Sequence, residues 1–377
     1  MEACRRVSFP LGTFFEKFPF MERIDEVSHR ISPVLVVGGA FRDYLLEGKW
    51  GEPDITSPQA ARLVKFLTGE FEVSPNPRFL TFKLKHASSD VVVDVAQARR
   101  EHYPYPGALP YVEPSSIYED FCRRDFTITA YAFFMGPYKN YVYDPFGGIE
   151  DTRRRVLKIF RKGVFSEDPT RILRGLRFAS RFSLKVDPAT ADSIKKEADF
   201  LGSVSSDRIK KEFVKSVVQS DVLSLFDFYL RFGIIRYIFH GFPDERGVGA
   251  VQNVLKRFQD LKSSLSKNFI WPLFVFLAGR LSWKLNFSLT SREKNFYRAG
   301  CKSRSSVEEA LWFLRNDEAV KAVVYFFFDD PARENIFRIV KNPLTAEEKL
   351  RMLSLPVNMR GAFIKETFRR KIKIYLS

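Results

Sequence analysis

The sequence predicts an α+β fold: a small mixed α/β head over residues 1–150, then a long all-helical neck, body and tail. Three observations predict it. Short apolar and alternating runs of strand type are confined to the first 150 residues. From about Asp151 they give way to helical periodicity with basic faces, and residues 151–215 carry 17 Lys or Arg against 9 Asp or Glu. After about residue 220 the chain is helical and aromatic, with neither an internal repeat nor a low-complexity linker.

In the head, Pro33–Val37 is an aliphatic run ending at Gly38-Gly39, and Ala40–Leu46 continues with helical spacing. Residues 79–85 (FLTFKLK) alternate apolar and polar, the pattern of a half-buried strand. Residues 90–95 (DVVVDV) are a further strand, a Pro- and Gly-rich loop spans Tyr103–Pro114, and 126–135 has strand character. The stretch 140–148 (NYVYDPFGG) is a strand that stops at a Gly-Gly turn. In the body, Phe269–Gly279 is the longest apolar run, too short for a bilayer, which takes about 20 residues, and is expected to be a buried helix. The aromatic segment LSLFDFYLRFGIIRYIF is expected to be core, and the basic tail Lys365–Lys373 suits either phosphate contact or a solvated terminal helix.

Composition narrows the function classes. Lys plus Arg exceed Asp plus Glu by 61 − 45 = 16, so the chain attracts polyanions, with nucleic acid the commonest. The N-terminal segment lacks the continuous apolar stretch of a secretory signal. Three widely spaced cysteines (Cys4, Cys122, Cys301) form neither a disulfide framework nor a CxxC knuckle. Four scattered histidines include no HExxH pair, and no HD phosphohydrolase signature is present. A cytoplasmic location is expected, with no membrane partner.

The most informative stretch is VLVVGGAFRDYLLEGKWGEPDI, residues 34–55. Gly38 and Gly39, between a strand and a helix, let backbone approach a ligand, and a helix N-terminus offers unpaired N–H groups to phosphate. Arg42, one turn in, adds a charge-assisted contact. Glu52 and Asp54 are two apart, so on a strand both carboxylates face one side and one metal ion. Asp94, a charge inside the apolar strand VVVDV, is a third candidate because burying it unpaired is costly. Paired carboxylates beside a phosphate-binding turn suit Mg²⁺ and a triphosphate.

The segment SEDPTRILRGLRFASRF offers a helix with Ser166 as N-cap. Asp168, Arg171 and Arg174 follow at intervals of three on one polar face, while Ile172, Leu176 and Ala179 form an apolar stripe. An acceptor beside donors suits a base edge. Further on, Arg208, Lys211 and Lys215 recur at i, i+3 and i+7 on one charged helix face, by default a solvated one, with RNA phosphate contact the functional alternative.

These motifs and their order resemble the class II tRNA nucleotidyltransferase and poly(A) polymerase family. GG-x-x-RD with a D-x-D-like pair is followed by EDFCRRDFTITAYAF, DPFGGIEDTRRRVLKI, EDPTRILRGLRFASRF and SDRIKKEF, across roughly residues 33–215. The resemblance implies a nucleotidyltransferase head over 1–150, neck helices over 151–220 that recognise the base, and an RNA-binding helical body and tail over 221–377. It implies template-independent addition of the 3′-terminal CCA, or only its A or CC, to tRNA from CTP and ATP with Mg²⁺. Glu52, Asp54 and Asp94 would be catalytic, with Glu52 and Asp54 on the metal. Gly38, Gly39, Arg42, Arg123 and Arg124 would bind nucleotide, as would Asp168 and Arg171 as an amino-acid template, supported by Arg174 and Arg177. Asp125 is expected to be an anchor. The expected partners are the tRNA 3′ end and acceptor region, with ATP and/or CTP.

Three positions depart from the family pattern. Its D-x-D is Glu52-Pro53-Asp54 here, which lengthens one carboxylate arm by a methylene. Its RRDFTIN is RRDFTIT, placing Thr129 where an amide stands. The loop Tyr103–Pro114 lacks the D-x-x-R element of enzymes that switch from C to A, and is more like that of A-adding relatives. Two other readings follow: a poly(A) polymerase acting on general RNA, and an RNA-binding relative in which Glu52 has impaired catalysis.

Overall fold

Alternating apolar residues build the head sheet around one row of side chains. A computed structural model of the chain describes residues 4–7, 9–240, 248–328 and 332–376. It divides into two compact units, residues 1–204 and 205–377. The first contains strands β1 (Cys4–Arg6), β2 (Leu35–Val37), β3 (Asp54–Ser57), β4 (Phe71–Asn76), β5 (Thr81–His86), β6 (Val92–Gln97), β7 (Arg99–His102), β8 (Tyr111–Pro114), β9 (Ala132–Phe134) and β10 (Tyr141–Tyr143). Eight of them form one mixed sheet, in the order β1-β10-β9-β2-β3-β6-β5-β4, and β7 and β8 pair as a separate ribbon. β3 and β6 run parallel, whereas β2–β3 and β5–β6 are antiparallel.

Successive residues of a strand face opposite sides. Val36, Ile55, Val93, Val95, Leu84 and Phe133 therefore bury on one face, in a core shared with Phe14, Phe41 and Trp50. That core is covered by helices α1 (Leu11–Lys17), α2 (Phe20–Ser28), α3 (Gly39–Glu47) and α4 (Ala60–Leu67). The other face carries Val37, Asp54, Asp94 and Lys83 as successive register partners across four strands.

The remaining helices of this unit are α5 (Ile117–Cys122), α6 (Gly148–Arg153), α7 (Val164–Glu167), α8 (Thr170–Phe182) and α9 (Pro188–Glu197). A short parallel pair, β11 (Val156–Leu157) with β12 (Lys185–Val186), leads into and out of α7 and α8. Arginines fasten α8 to α3. Arg181 reaches Asp43 at 2.9 Å and Glu47 at 3.1 Å, and Arg155 donates to the carbonyls of Leu46 and Phe182. The first compact unit ends at Val204, and the helix beginning at Ser206 lies in the second.

The second unit contains α10 (Ser206–Gln219), α11 (Val222–Arg231), α12 (Ile235–Ile238), α13 (Val248–Lys262), α14 (Lys267–Arg280) and α15 (Ser291–Lys302). It continues with α16 (Val307–Leu314), α17 (Val320–Phe327), α18 (Ala332–Lys341), α19 (Ala346–Leu353) and α20 (Val357–Lys373), and holds the short pair β13 (Phe239–His240) and β14 (Lys284–Leu285). The apolar run of α14 is buried from Pro272 to Gly279, and Phe226 and Tyr229 of α11 are buried beside it. Fully buried Phe213 of α10 lies against the rings of Tyr229, Phe239, Trp271, Phe274 and Phe287. Aromatic residues in this unit thus make a core, as their spacing predicts. None of the helices among the described residues is long and apolar enough to cross a membrane.

Several local expectations are corrected. The segment 126–135 opens as a 3-10 turn (Thr127–Thr129) before β9, because Thr129 Oγ bonds back to the Phe126 carbonyl at 2.8 Å and Asp125 Oδ1 at 2.6 Å. The loop assigned to Tyr103–Pro114 ends in β8, whose backbone pairs with β7. Residues 166–182 do not form one helix capped by Ser166. The residue before a proline is pushed out of the α region, and Asp168, before Pro169, adopts φ −134°, ψ 96°, separating α7 from α8.

Candidate functional site

The site is built where β2 ends and α3 begins. Val37 closes the strand, Gly38 adopts φ +74°, and α3 starts at Gly39 with no capping side chain, so its N-terminal N–H groups remain available for an anion. A Cβ on Gly38 would lie 2.8 Å from Asp54 Oδ2. Glycine is therefore required twice, for the backbone angle and for the approach of the carboxylate.

Asp54 is the first residue of β3 and sits in register with Asp94 on parallel β6. Both line a cleft of about 410 Å³ with Thr56, Arg99, Arg123, Arg124, Asp125, Thr129, Arg171 and Arg174. Burial pushes the Asp54 carboxyl up to about 6, and the charges of Asp94 and Glu52 add to the shift, against the pull of Arg124 and Arg174. Asp94 is half-exposed and pairs with Lys83 at 3.3 Å. Glu52 was expected to share a strand face with Asp54, but β3 begins only at Asp54. Pro53 has no N–H to give a ladder, so Glu52 lies before the strand with its side chain exposed, outside the cleft lining. Its charge nevertheless reaches Asp54.

The donor set can be weighed against a divalent cation. Among the described residues, no group of three His, Cys, Asp or Glu side chains is arranged to hold a metal. Mg²⁺ does not need one, since it commonly binds through one or two carboxylates plus water and substrate phosphates. Two hard oxygen donors in register, with Asp54 held uncomfortably near its neighbour's charge, fit that demand. Buried Thr56 Oγ1 and Arg124 Nε, in residues that also line the cleft, have no hydrogen-bond partner within the protein. A polar ligand would relieve that cost.

Arg42 is placed differently from the expected phosphate contact. Its side chain is buried, holds Asp43 Oδ1 through Nε at 2.9 Å and Nη2 at 2.6 Å, and stacks over Phe178 and Phe182 of α8. Arg123 pairs with Asp120 at 2.8 Å and Glu101 at 2.9 Å, and Arg124 with the other oxygen of Asp120 at 3.1 Å. Burial alone would raise the Asp120 carboxyl, but the two arginines outweigh it and hold it below the usual carboxylate range. Asp125 is an anchor, as anticipated. It accepts from Thr129 Oγ1 and its own neighbour's N–H, and its second oxygen meets Arg174 Nε at 2.9 Å.

In the segment 166–182, Asp168 precedes α8 and its carboxylate accepts from Thr170 N at 3.0 Å and Thr170 Oγ1 at 2.7 Å. It thus caps the first turn of α8 and does not lie on its face. Arg171 is buried, and its guanidinium reaches away from α8; Arg174 is nearly half exposed, both line the cleft, and Arg177 lies over the Phe178 ring. Gly175 lets this helix come close to the RRDFT segment, since a Cβ there would meet Phe126 Cζ at 2.4 Å. Ile172, Leu176 and Ala179 bury as the apolar stripe.

Arg208, Lys211 and Lys215 all lie on α10, in the second unit. Lys211 is exposed, Arg208 partly so, and Lys215 pairs with Glu212 at 2.9 Å. Their neighbour Lys210 is structural: it binds Glu293 at 2.7 Å, and Glu293 also accepts from Trp271 Nε1.

Sequence reasoning missed Arg99, Glu101, Tyr103 and Asp120, which bring charge and hydrogen bonds to the cleft arginines. Asp120 stands three and four residues before Arg123 and Arg124, a local spacing that could have shown it, whereas Arg99, Glu101 and Tyr103 come near only through the folding of the β7–β8 ribbon. Lys83 was a further omission; strand alternation places it on the Asp94 face once β5 and β6 are paired.

Residues 34–158 match the poly A polymerase head domain, and 183–244 match the domain described as "Probable RNA and SrmB- binding site of polymerase A". The A-adding tRNA nucleotidyltransferase of Aquifex aeolicus is 29% identical over 353 residues, covering 90% of this chain and 40% of that protein. That of Halalkalibacterium halodurans is 31% identical over 217 residues, 55% of this chain and 50% of that protein. The chain therefore spans half or less of the length of these two relatives. A solved structure described as a tRNA-processing enzyme in its apo form superposes with a TM-score of 0.68 at 22% identity, covering 98% of this chain and all of that one, and so shares the fold.

Proposed function

From a chain that belongs to the class II tRNA nucleotidyltransferase and poly(A) polymerase family, we propose template-independent addition of the 3′-terminal CCA, or only its A or CC, to tRNA from CTP and ATP. The observation that carries this reading is the register pair Asp54–Asp94 beside the uncapped N-terminus of α3, in a cleft lined by five arginines, Arg99, Arg123, Arg124, Arg171 and Arg174.

Each part has a chemical task. Asp54 and Asp94 would hold a divalent cation, with Mg²⁺ the proposed species, and Glu52 would add its charge from outside the cleft lining. Bound there, it would neutralise triphosphate charge and favour attack by an RNA 3′-hydroxyl. Gly38 and Gly39 let the α3 N-terminus face phosphate, and Arg124 and Arg174 offset the remaining negative charge. Arg42 acts through position, by keeping α3 against α8. Asp168 and Arg171 would meet the base edge, with Arg123, Arg174 and Arg177 supporting them. Arg208, Lys211 and Lys215 would contact the RNA backbone, and the excess of 16 positive charges favours the tRNA acceptor region as partner. A cytoplasmic site of action follows from that substrate.

Addition of A alone is favoured by the likeness to two A-adding enzymes. A poly(A) polymerase is the second reading, supported by the head-domain match. An RNA-binding relative with weakened catalysis is the third, because Glu52 sits outside the cleft lining.

The test supplies Mg²⁺ and three tRNA transcripts, ending before CCA, after the first C, and after CC, with labelled CTP and ATP separately and together. A single A on the CC-ended transcript supports A addition, and full CCA supports the broader activity. A long A tail on unrelated RNA moves the second reading to first place. Binding without incorporation supports the third.

A further inference from the structure

A guanidinium has five N–H donors, four of them on its terminal nitrogens. In Arg171 all four terminal donors are already in use. Nη1 donates to the Val164 carbonyl at 3.1 Å and to Glu167 Oε2 at 3.0 Å. Nη2 donates to the Arg123 carbonyl at 3.0 Å and to the Tyr103 hydroxyl at 3.3 Å. The last is the longest of the four, and the only one made to a neutral side chain.

The Tyr103 hydroxyl is held in turn. It donates to Glu101 Oε2 at 2.7 Å, while Glu101 Oε1 accepts from Arg123 at 2.9 Å and Arg99 at 3.0 Å. Burial keeps the phenol protonated, so the direction of this relay is fixed: Tyr103 gives its proton to Glu101 and accepts from Arg171. The ribbon carrying both residues is fastened at its far end, where Ser203 Oγ donates to the Pro106 carbonyl at 3.0 Å.

We propose that Tyr103, held by Glu101, is a specificity-determining gate on Arg171: its hydroxyl occupies the N–H that a nucleotide base edge takes, and only a base that competes for that donor displaces it. The inference rests on the proposed reading of Arg171 as a base-contacting group. The other three acceptors are two backbone carbonyls and a carboxylate, all harder to replace, so the Tyr103 contact is the one that yields. A base offering a well-placed acceptor recovers the lost bond in full, whereas a poorly matched base leaves either Arg171 or Tyr103 unsatisfied in a buried site.

The experiment compares the full-length chain with Tyr103→Phe, which keeps the ring beneath Arg171 and removes only the hydroxyl, and with Glu101→Gln, which loosens the hold on that hydroxyl. ATP and CTP are titrated separately with Mg²⁺ by calorimetry, and incorporation on the CC-ended transcript is measured in parallel. Tyr103→Phe is expected to bind nucleotide more tightly, with the disfavoured one gaining most. The ratio between the two should then shrink about three- to tenfold, with KM moving and kcat holding. Glu101→Gln is expected to shift the ratio the same way by less. A merely structural role weakens both nucleotides alike, and that result, or an unchanged ratio, overturns the gate. If the unmodified chain binds nucleotides but incorporates neither, the proposed activity fails while the binding ratio still decides the gate. If it binds neither, both are overturned.

Discussion

Asp54 and Asp94 are register partners on adjacent parallel strands, and Gly38 leaves no room for a side chain over the first of them. Lys83, the next partner in the same row, pairs with half-exposed Asp94 at 3.3 Å, whereas the burden of burial falls on Asp54. The row is a place prepared for positive charge.

That burden has a pH signature. Asp54 is raised from its ordinary 3.8 to about 6, so the stability it lends is complete below 3.8 and is lost as pH rises through about 6. Asp54→Asn, permanently neutral, should therefore raise the melting temperature of the cation-free chain at pH 8. The gain should be no more than about 3 kcal/mol, grow between pH 4 and 6, and vanish at pH 3. Melting curves across that range check it, and an effect independent of pH would count against the assignment.

Gly38→Ala meets both the φ of +74° and the Asp54 carboxylate at 2.8 Å. The backbone strain alone costs about 1–3 kcal/mol. Nucleotide incorporation should fall further than the loss of stability accounts for, because Asp54 must move. Thermal melting and single-turnover rates measured on the same preparation separate the two.

Arg42→Ala should act as a stability variant. It removes the partner of buried Asp43 and the cation stacked on Phe178 and Phe182, which points to a loss of about 3 kcal/mol. Arg181 still reaches Asp43 and limits the damage. Denaturant titration should show this loss with nucleotide affinity of the folded fraction unchanged. A selective loss of nucleotide binding would return Arg42 to the phosphate role.

Thr129 stands where the family has an amide, and its hydroxyl donates to Asp125 at 2.6 Å. Thr129→Val keeps the shape and leaves Asp125 with one donor fewer. A loss of about 2 kcal/mol in stability is expected, with a smaller effect on nucleotide affinity through Arg174. Denaturant melts and nucleotide titration measure the two.

Much of this was legible in the sequence because it depends on local rules. Gly38-Gly39 between an aliphatic run and a helix, the alternation of FLTFKLK and VVVDV, and the apolar run of α14 each follow from neighbours in the chain. What escaped depends on pairing at a distance or on competition between rules. Glu101 and Tyr103 matter only because β7 folds against β8 and the cleft arginines. The two-residue spacing of Glu52 from Asp54 suits a strand, and Pro53 prevents that. Ser166 has cap chemistry, but Pro169 decides where α8 begins. Arg42 has the charge for phosphate, and the aromatic face of α8 holds it elsewhere.

The most direct measurement is the rate of nucleotide incorporation onto the CC-ended tRNA transcript by Asp54→Asn and Asp94→Asn beside the unmodified chain, each checked for folding by melting. If the paired carboxylates are the cation site, both variants lose at least about a hundredfold in rate, which is about 2.7 kcal/mol, while their melting temperatures hold or rise. Retention of the unmodified rate by either variant would contradict the account.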